Sequence, residues 1–503
     1  MGKIAGLRAV LLCLAASLCT WASVEGELVL LVTLTRHGSR APNPVIDELC
    51  PANAPNRARY NVPPGQLTEV GMKQALELGT FLRETYVESM DFLPPTLGSG
   101  IEASFSSKFM SDPAERCLQT AQAMAMGLFP NGTGPPGFPN QPVAVETEQK
   151  QYASVLAAAH GVCLAQQEAD NAAYDSTRGR QLIEQWRNIT DVIAQACGTP
   201  IEYYEAADNG KEGLVLGVKD VGDMLDFDEQ QGLPRLPGVS RKVHEEMTQL
   251  AFTLLQERYY SDRRQVTYWA GGLPSTLVND FRSAATRHSS GQKPKRLYLG
   301  YHGHRELLYG LAHLLGWNFD VQGAPTALGT SSIPPTTTMF FELHSHSGDV
   351  GGSSAGTNQE QDQDYYIRTY TWTPDYGQQE VVLDACRDVD AGKGCPLTTV
   401  EAVVENSASE TGSWMSICHH VPFDQAEKMA QEYVFGGDSV DGEPAGSGDS
   451  SGGNKFLSLV VKLSVVPAIA ACLIATWFLI VAAKSKWQGA GGRGAGSTYE
   501  VVA

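Results

Sequence analysis

The sequence predicts an α/β fold, a three-layer sheet with helices on both faces, together with a helical insertion at about 150–260. The first observation behind this prediction is a continuous apolar run at 27–35, since an uninterrupted run indicates a strand buried on both faces. The second is that such runs alternate with stretches of helical periodicity, which is the order of elements in α/β sheets. We therefore expect one large domain over 27–435.

The elements after the first strand follow from local signals. A helix at 67–86 begins where the Thr68 hydroxyl can accept a hydrogen bond as the N-cap. A stretch at 345–364 that is rich in Gly, Ser, Asp and Gln predicts an extended hairpin loop. The other predicted elements are a strand at 103–110, a helix at 111–128, a buried strand at 295–301, a helix ending near 317, and strands at 338–344 and 365–372.

Both ends of the chain carry targeting signals rather than parts of the fold. Residues 1–26 have a basic start, an apolar run too short to span a bilayer and small residues at a cleavage-like spacing, which predicts a signal peptide; a short membrane anchor is the alternative. At the other end, 463–483 is uncharged and long enough for the ~30 Å hydrocarbon core. Lys484 and Lys486 favour a cytosolic C-terminus, so the sequence predicts a type I single-pass membrane protein.

The segments beside the predicted span indicate where the protein resides. A Gly/Ser/Asp-rich linker at 436–454 would hold the domain off the membrane, and a tail at 484–503 would lie in the cytosol. The tail contains Tyr499 in a Tyr-x-x-apolar tetrapeptide, which resembles an endosomal and lysosomal sorting signal that an adaptor would bind. We therefore expect a lysosomal or endosomal membrane, or the cell surface, with the domain lumenal or extracellular. Association into a homodimer is left open.

Charge and cysteine content limit the partners and the compartment. The 503 residues carry 37 Lys and Arg against 56 Asp and Glu, a formal charge of -19, which excludes nucleic acid because the protein would repel phosphate backbones. Outside the predicted signal peptide and span there are 7 cysteines, and an oxidising compartment favours disulfides among them. Cys386 and Cys395 are the predicted local pair, and the odd number leaves at least one thiol free or intermolecular. Asn131 and Asn188 begin glycosylation sequons expected on surface loops.

One motif at the carboxyl end of the first strand carries the predicted chemistry. Arg36, His37 and Arg40 stand in the run Arg-His-Gly-x-Arg-x-Pro. Ligands of open α/β sheets bind beyond the carboxyl ends of strands, so the position suits a site. The two arginines supply forked donors for phosphate oxygens, the imidazole can attack phosphorus, and Gly38 allows close backbone approach. The alternative is a basic surface turn, which the position after a buried strand disfavours.

This run resembles the signature of the histidine acid phosphatases, a branch of the histidine phosphatase superfamily. The resemblance extends over most of the domain, and the span and tail are similar to those of lysosomal, membrane-anchored members. It implies two-step hydrolysis of a small phosphomonoester, with no metal or other cofactor. His37 would become phosphohistidine, and Arg36 and Arg40 would hold the phosphoryl oxygens. His302, at the end of the second buried strand, would be catalytic and would donate a further hydrogen bond to the phosphoryl group.

The first departure from the family pattern concerns a third phosphate-binding arginine. Met110 stands in the position where the family has this arginine, and its side chain carries no charge. Lys108 would point to the same face of a strand as Met110, and Arg116 lies on the following helix. We interpret both cations as structural, which leaves the third arginine without a replacement.

The second departure concerns the proton donor. The family has a His-Asp pair in which the Asp protonates the leaving group, and Gly303 occupies that position here. His304 is our candidate catalytic acid because an imidazole is effective in an acidic lumen, and Glu306 is the other candidate. Met110 and Gly303 leave two hypotheses: an acid phosphatase, or a catalytically impaired phosphatase-fold protein that acts as a phosphate-binding or signalling module.

Overall fold

The computed structural model describes residues 26–97, 106–149, 153–156, 163, 165–166, 169, 177–200, 214–319, 332–346, 365–389 and 393–418. Outside them lie the predicted signal peptide apart from Gly26, most of the loop at 345–364, the linker at 436–454, the span at 463–483 and the tail with Tyr499. None of the helices in this described part combines the length and apolarity needed to cross a membrane. The chain divides into two units, Met1–Met429 and Ala430–Ala503, and every described residue belongs to the first.

Strands and helices alternate along the described chain. The strands are β1 (Leu28–Arg36), β2 (Ser107–Ser111), β3 (Val145–Thr147), β4 (Tyr298–Gly303), β5 (Thr338–Ser345), β6 (Tyr365–Thr373), β7 (Gly377–Val381) and β8 (Cys395–Pro396). The longer helices are α1 (Glu69–Leu82), α2 (Glu115–Leu128), α3 (Thr177–Gln185), α4 (Arg187–Cys197), α5 (Leu214–Gln230), α6 (Arg241–Tyr260), α7 (Arg263–Ala270), α8 (Leu273–Ser289), α9 (Arg305–Leu315) and α10 (Leu397–Thr411). Shorter helical turns lie at Ile46–Leu49, Pro51–Asn53, Ala54–Arg57, Arg83–Ser89, Asp384–Cys386 and Trp414–Ile417.

The strands form one mixed sheet in the order β3-β2-β4-β1-β5-β6-β7, with β8 paired to β6. Neighbours from β3 to β1 are parallel, and those from β1 to β7 are antiparallel. The register places Thr35 of β1 and Ser111 of β2 on either side of His302 in β4. The carboxyl ends of these three strands therefore finish side by side, and this is the edge at which α/β sheets bind ligands.

Side chains of β1 alternate between two cores, as a strand buried on both faces requires. Leu30, Val32 and Leu34 pack into one apolar cluster with residues of α6 to α10. Leu31 packs on the other face, against residues of α1 and α2. The predicted arrangement of helices on both faces of the sheet is therefore confirmed.

The helical insertion has an apolar core of its own. Each of the helices α3 to α6 contributes buried residues to this core, among them Ile183, Ile193, Val221 and Leu250. A disulfide between Cys50 and Cys197 ties α4 to the segment that follows β1. The insertion is thereby held near the end of β1, where the arginine-histidine motif lies.

The local predictions were mostly correct at the level of elements and less so at their ends. Thr68 caps α1 by accepting a hydrogen bond from the Gly71 amide at 3.2 Å. The helix predicted from 111 begins at Glu115, because the Asp112 amide still donates to the His302 carbonyl (2.8 Å) and Pro113 intervenes. A residue so bonded remains part of the strand edge rather than the helix.

The predicted pair Cys386–Cys395 is confirmed, and a third disulfide joins Cys163 to Cys418. The remaining cysteine is Cys117, which is buried and forms no disulfide, as the odd number required. Of the two sequons, Asn131 is exposed in a turn as expected. Asn188 is exposed on the first turn of α4 rather than on a loop.

Candidate active site

The carboxyl ends of β1 and β4, with the start of α2, surround a cavity of about 150 Å³. Arg36, His37 and Arg40 line it, as does His304, which follows β4. The parallel register explains this meeting, since Arg36 lies directly opposite Gly303. The backbone amide of His37 also donates to the Gly303 carbonyl at 2.9 Å, which joins the two strand ends beyond the sheet.

His37 is held in one orientation by its own backbone neighbour. Its ring Nδ1 lies 2.8 Å from the Gly38 carbonyl oxygen, and a carbonyl can only accept, so Nδ1 carries the proton and Nε2 the lone pair. Burial, and then the charges of Arg116, His304, Arg36 and Arg40, hold the pKa of His37 well below its ordinary value. The imidazole is therefore neutral and nucleophilic in mildly acidic solution.

Gly38 allows a close approach of the first turn of α1. A Cβ built on Gly38 would lie 2.5 Å from the Gly71 carbonyl oxygen, and one on Gly71 would lie 2.2 Å from the Ser39 carbonyl oxygen. The Gly38 amide donates to the Thr120 hydroxyl of α2 at 3.0 Å. The two glycines thus let the motif pack directly against the N-terminus of α1.

Hydrogen bonds to protein oxygens hold the two predicted phosphate-binding arginines in place. Arg36 donates through Nη1 to the Ile333 carbonyl, and Arg40 donates through Nη1 to the Ala41 carbonyl (3.0 Å) and to Asn43 Oδ1 (2.8 Å). Burial is the main reason that the pKa of each falls to about 10, so both remain charged at acidic and neutral pH.

Arg116, which we interpreted as structural, brings a third guanidinium to the cavity. It is the second residue of α2 and lines the cavity beside His37, because helical side chains lean toward the helix N-terminus and thus toward the strand edge. Lys108 instead forms an ion pair with Glu146 at 3.2 Å and lies away from the cavity. Met110 is buried in the core.

Within the described residues, the buried Nε atoms of Arg36, Arg40 and Arg116 have no hydrogen-bond partner. Buried donors are almost always satisfied, because an unmet one costs about 1–3 kcal/mol, and more when it is charged. Three such donors around one neutral imidazole therefore indicate a site built for an anion with several acceptor oxygens.

His304 lies at the cavity and contacts Asp112 and Arg116 among its neighbours. Its Nε2 is 3.2 Å from Asp112 Oδ1, and its Nδ1 is 3.4 Å from Arg116 Nη2. Its ring meets that of His37 edge-on, with 5.3 Å between the ring centroids. The Asp112 carboxylate can only accept, so a proton on Nε2 would be held by that contact.

His302 does not reach the cavity, so the structure does not place it where the predicted phosphate contact requires. Its side chain is fully buried within β4, and neither ring nitrogen has a hydrogen-bond partner in the described part of the chain. Burial lowers the pKa of His302 to about 3, so it is a neutral core residue. The reason is that β4 is longer than predicted. It ends at Gly303, two residues beyond the predicted strand end, so the residue that follows the strand at the edge of the sheet is His304.

Sequence reasoning missed the residues that the insertion and α7 bring to the cavity. Lys219 and Asp223 come from α5, Tyr259 from α6 and Trp269 from α7. Arg305 and Glu306, at the start of α9, complete the charged lining. No local motif marks the side chains from α5, α6 and α7, although the i, i+4 spacing of Lys219 and Asp223 was a detectable sign of a paired helical face. The sequence already singles out Glu306 as a candidate acid.

A family model described as Histidine phosphatase superfamily (branch 2) matches residues 27–371. Testicular acid phosphatase of Mus musculus is 36% identical over 129 residues, which is 24% of this chain and 27% of that protein. Lysophosphatidic acid phosphatase type 6 of Bos taurus is 26% identical over 291 residues, 56% of this chain and 57% of that protein. The chain thus matches between about a quarter and just over half the length of these curated relatives.

Solved structures resemble the chain over a greater length. The apo form of Hafnia alvei phytase has a TM-score of 0.55 to this chain at 18% sequence identity, and the match covers 78% of this chain and 99% of the phytase. At this identity the likeness concerns the fold, which is the mixed sheet with helices on both faces described above.

Proposed function

Because this chain belongs to branch 2 of the histidine phosphatase superfamily, we propose that it is an acid phosphatase that hydrolyses phosphomonoesters through a phosphohistidine on His37. The observation that carries the proposal is the set of three arginine Nε donors around a neutral His37 imidazole, none of which has a hydrogen-bond partner in the part of the chain that the structure describes. The acid phosphatases among the curated relatives support the same reaction class.

In the first step, the Nε2 lone pair of His37 attacks phosphorus as the bond from phosphorus to the ester oxygen breaks. Arg36, Arg40 and Arg116 hold the equatorial oxygens and stabilise the charge that develops on them. The Nδ1 proton of His37 stays on its bond to the Gly38 carbonyl, which keeps the ring aligned during the attack.

The leaving alkoxide takes its proton from His304. Glu306 is the weaker candidate because the Arg305 charge, acting against burial, leaves its pKa at about 2, so it is a carboxylate in an acidic lumen. In the second step, His304 accepts a proton from the attacking water, the phosphorus–nitrogen bond breaks, and inorganic phosphate leaves with His37 restored.

The rival hypothesis is a phosphate-binding or signalling module without turnover, motivated by Met110 and Gly303. Arg116 and His304 argue against it, because both line the cavity beside His37 and would supply a third guanidinium and a proton donor. The deciding experiment is hydrolysis of p-nitrophenyl phosphate by the purified chain between about pH 4 and 6. We expect His37→Ala to abolish turnover and His288→Ala, on α8 away from the cavity, to preserve it. Equal rates of hydrolysis for wild type and His37→Ala would refute the proposal that the chain is a phosphatase acting through His37.

We also propose that the enzyme is a type I membrane protein of lysosomes, endosomes or the cell surface. The support is in the sequence: the signal peptide at 1–26, the uncharged stretch at 463–483 and the tail with Tyr499, where an adaptor would bind. In intact vesicles, a protease added outside should remove a C-terminal tag and spare the domain. Removal of the domain with retention of the tag would show that the domain faces the cytosol.

Whether the chain forms a homodimer is a separate question, which its mass in detergent solution decides.

A further inference from the structure

Behind the wall of the cavity, three potential metal ligands of different chemistry converge. One ligand atom each from Asp112, Cys117 and His304 lies within 4.8 Å of the other two. The side chains come from three elements, namely the end of β2, the first turn of α2 and the residue between β4 and α9. All three are buried, with exposed fractions of 1%, 0% and 5%.

The two separations that involve His304 match those of ligands around one tetrahedral ion. Zn–N, Zn–O and Zn–S bonds of about 2.0–2.3 Å place nitrogen and oxygen roughly 3.3 Å apart and nitrogen and sulfur roughly 3.6 Å apart. Here His304 Nε2 is 3.2 Å from Asp112 Oδ1 and 3.7 Å from Cys117 Sγ. The third separation, between Asp112 and Cys117, lies within 4.8 Å, so both side chains already stand around His304 Nε2.

The site is also held in place by neighbouring backbone. Asp112 Oδ1 accepts a hydrogen bond from the Ala114 amide at 2.8 Å, and the Asp112 amide donates to the His302 carbonyl at 2.8 Å. The Cys117 thiol lies 3.6 Å from the Gly303 carbonyl, its hydrogen-bond acceptor in the absence of metal. Fixed ligands reduce the reorganisation that binding would otherwise require.

We propose that Asp112, Cys117 and His304 form a binding site for a Zn²⁺-like transition-metal ion, and that occupation of this site inhibits the phosphatase. Binding forms a metal–sulfur bond and releases the thiol proton to solvent, so a thiolate and a carboxylate balance the dipositive ion. A water molecule can complete the tetrahedron.

The inhibitory part rests on the proposed function, because it requires His304 to serve as the proton donor. Coordination takes the lone pair of Nε2 and engages Asp112 at the same time. The imidazole can then no longer be protonated on both nitrogens, which is the form that would deliver a proton to the leaving group. Poor leaving groups, which depend on that proton, should be affected most.

Metal binding is tested without reference to turnover. Co²⁺ is added at about pH 7, where ligands deprotonate readily, to the purified full chain, to His37→Ala and to Cys117→Ser. We expect a thiolate-to-cobalt absorption band in the first two proteins and none in Cys117→Ser. Zn²⁺ competition should show affinity falling at least roughly 10- to 100-fold for Asp112→Asn and not for Asp191→Asn. Absence of the band in wild type, or its persistence in Cys117→Ser, would overturn the site.

Inhibition is tested on glycerol phosphate. Added Zn²⁺ should slow wild type and leave Cys117→Ser, which has its cavity residues intact, at its metal-free rate. Equal slowing of both proteins, or slowing of neither while the cobalt band is present, would refute the inhibitory role. If no protein turns over substrate, the proposed function fails, and the cobalt result still decides the metal site by itself.

Discussion

Arg305 and Asp223 form a bidentate ion pair, with Nη1 to Oδ1 at 2.7 Å and Nη2 to Oδ2 at 2.9 Å, that joins α9 to the helical insertion. The same carboxylate lies 3.4 Å from Lys219 Nζ and 3.9 Å from Arg40 Nη2. The cavity is thus lined by five Arg and Lys side chains against two carboxylates, in a chain whose formal charge is -19. One buried aspartate holds the local cations together while leaving the site electropositive.

Removing this carboxylate should be costly. Asp223→Ala removes the bidentate partner of the buried Arg305 and leaves it the longer ionic contact to Glu306, at 3.4 Å from its Nε. Removing one partner of a buried pair typically destabilises a protein by about 3–5 kcal/mol. The free energy of unfolding, measured by urea denaturation at neutral pH, should fall by that amount. Asp191→Ala, at an exposed position on α4, is the matched control and should change it by less than about 0.5 kcal/mol. Similar losses in the two variants would show that the ion pair does not stabilise the fold.

Substitution of Arg116 and of Lys108 tests which of the two side chains is the third cation at the phosphate site. Arg116→Ala should lower kcat roughly 10²- to 10³-fold, as loss of one preorganised donor to a developing charge does. Lys108→Ala should leave kcat within about twofold, because its side chain pairs with Glu146 outside the cavity and such surface pairs contribute little. Steady-state kinetics on p-nitrophenyl phosphate measures both. A large loss for Lys108→Ala with none for Arg116→Ala would reverse the assignment.

The proton donor is identified by comparing leaving groups. His304→Asn should slow hydrolysis of glycerol phosphate by about 10²- to 10⁴-fold, since an alkoxide leaves poorly without a proton. The loss on p-nitrophenyl phosphate should be much smaller, because its phenolate needs little assistance. Glu306→Gln, which is isosteric, should show no such difference between the substrates. If Glu306→Gln shows the leaving-group dependence and His304→Asn does not, the donor is Glu306.

His302 should make the fold less stable in acid. Its pKa is lowered from 6.5 in the unfolded chain to about 3 in the fold, so the stability associated with its neutral form is complete above pH 6.5 and is lost as pH falls toward about 3. At ~1.4 kcal/mol per pKa unit, the loss is about 3 kcal/mol near pH 4.

Two non-ionising variants test this dependence. Between pH 7 and about 4, the free energy of unfolding should fall more steeply for wild type than for His302→Leu or His302→Gln. The difference in slope from wild type should be the same for the two variants. The common difference in slope belongs to the histidine, whereas any constant offset belongs to packing. Parallel pH profiles for wild type and both variants would show that His302 is protonated in the fold.

The strands and the motif around His37 could be predicted because their signals are local. An uninterrupted apolar run such as that of β1 is typical of a central strand buried on both faces. The motif with Arg36, His37 and Arg40 lies at the carboxyl end of that strand. Thr68 and the Cys386–Cys395 pair were likewise predictable from short-range chemistry. The prediction for His302 failed because a strand end is poorly marked when the next residues, Gly303 and His304, are compatible with either strand or loop.

The α/β sheet with helices on both faces, and the position of His37 between two arginines at a strand end, follow from the amino-acid sequence alone. The other groups around that histidine depend on how the separate elements pack. Arg116 depends on where α2 begins, His304 on how far β4 extends, and Asp223 on the docking of an insertion nearly 200 residues along the chain from His37. Such contacts arise from the packing of separate elements, and packing is determined by the whole core rather than by any local pattern.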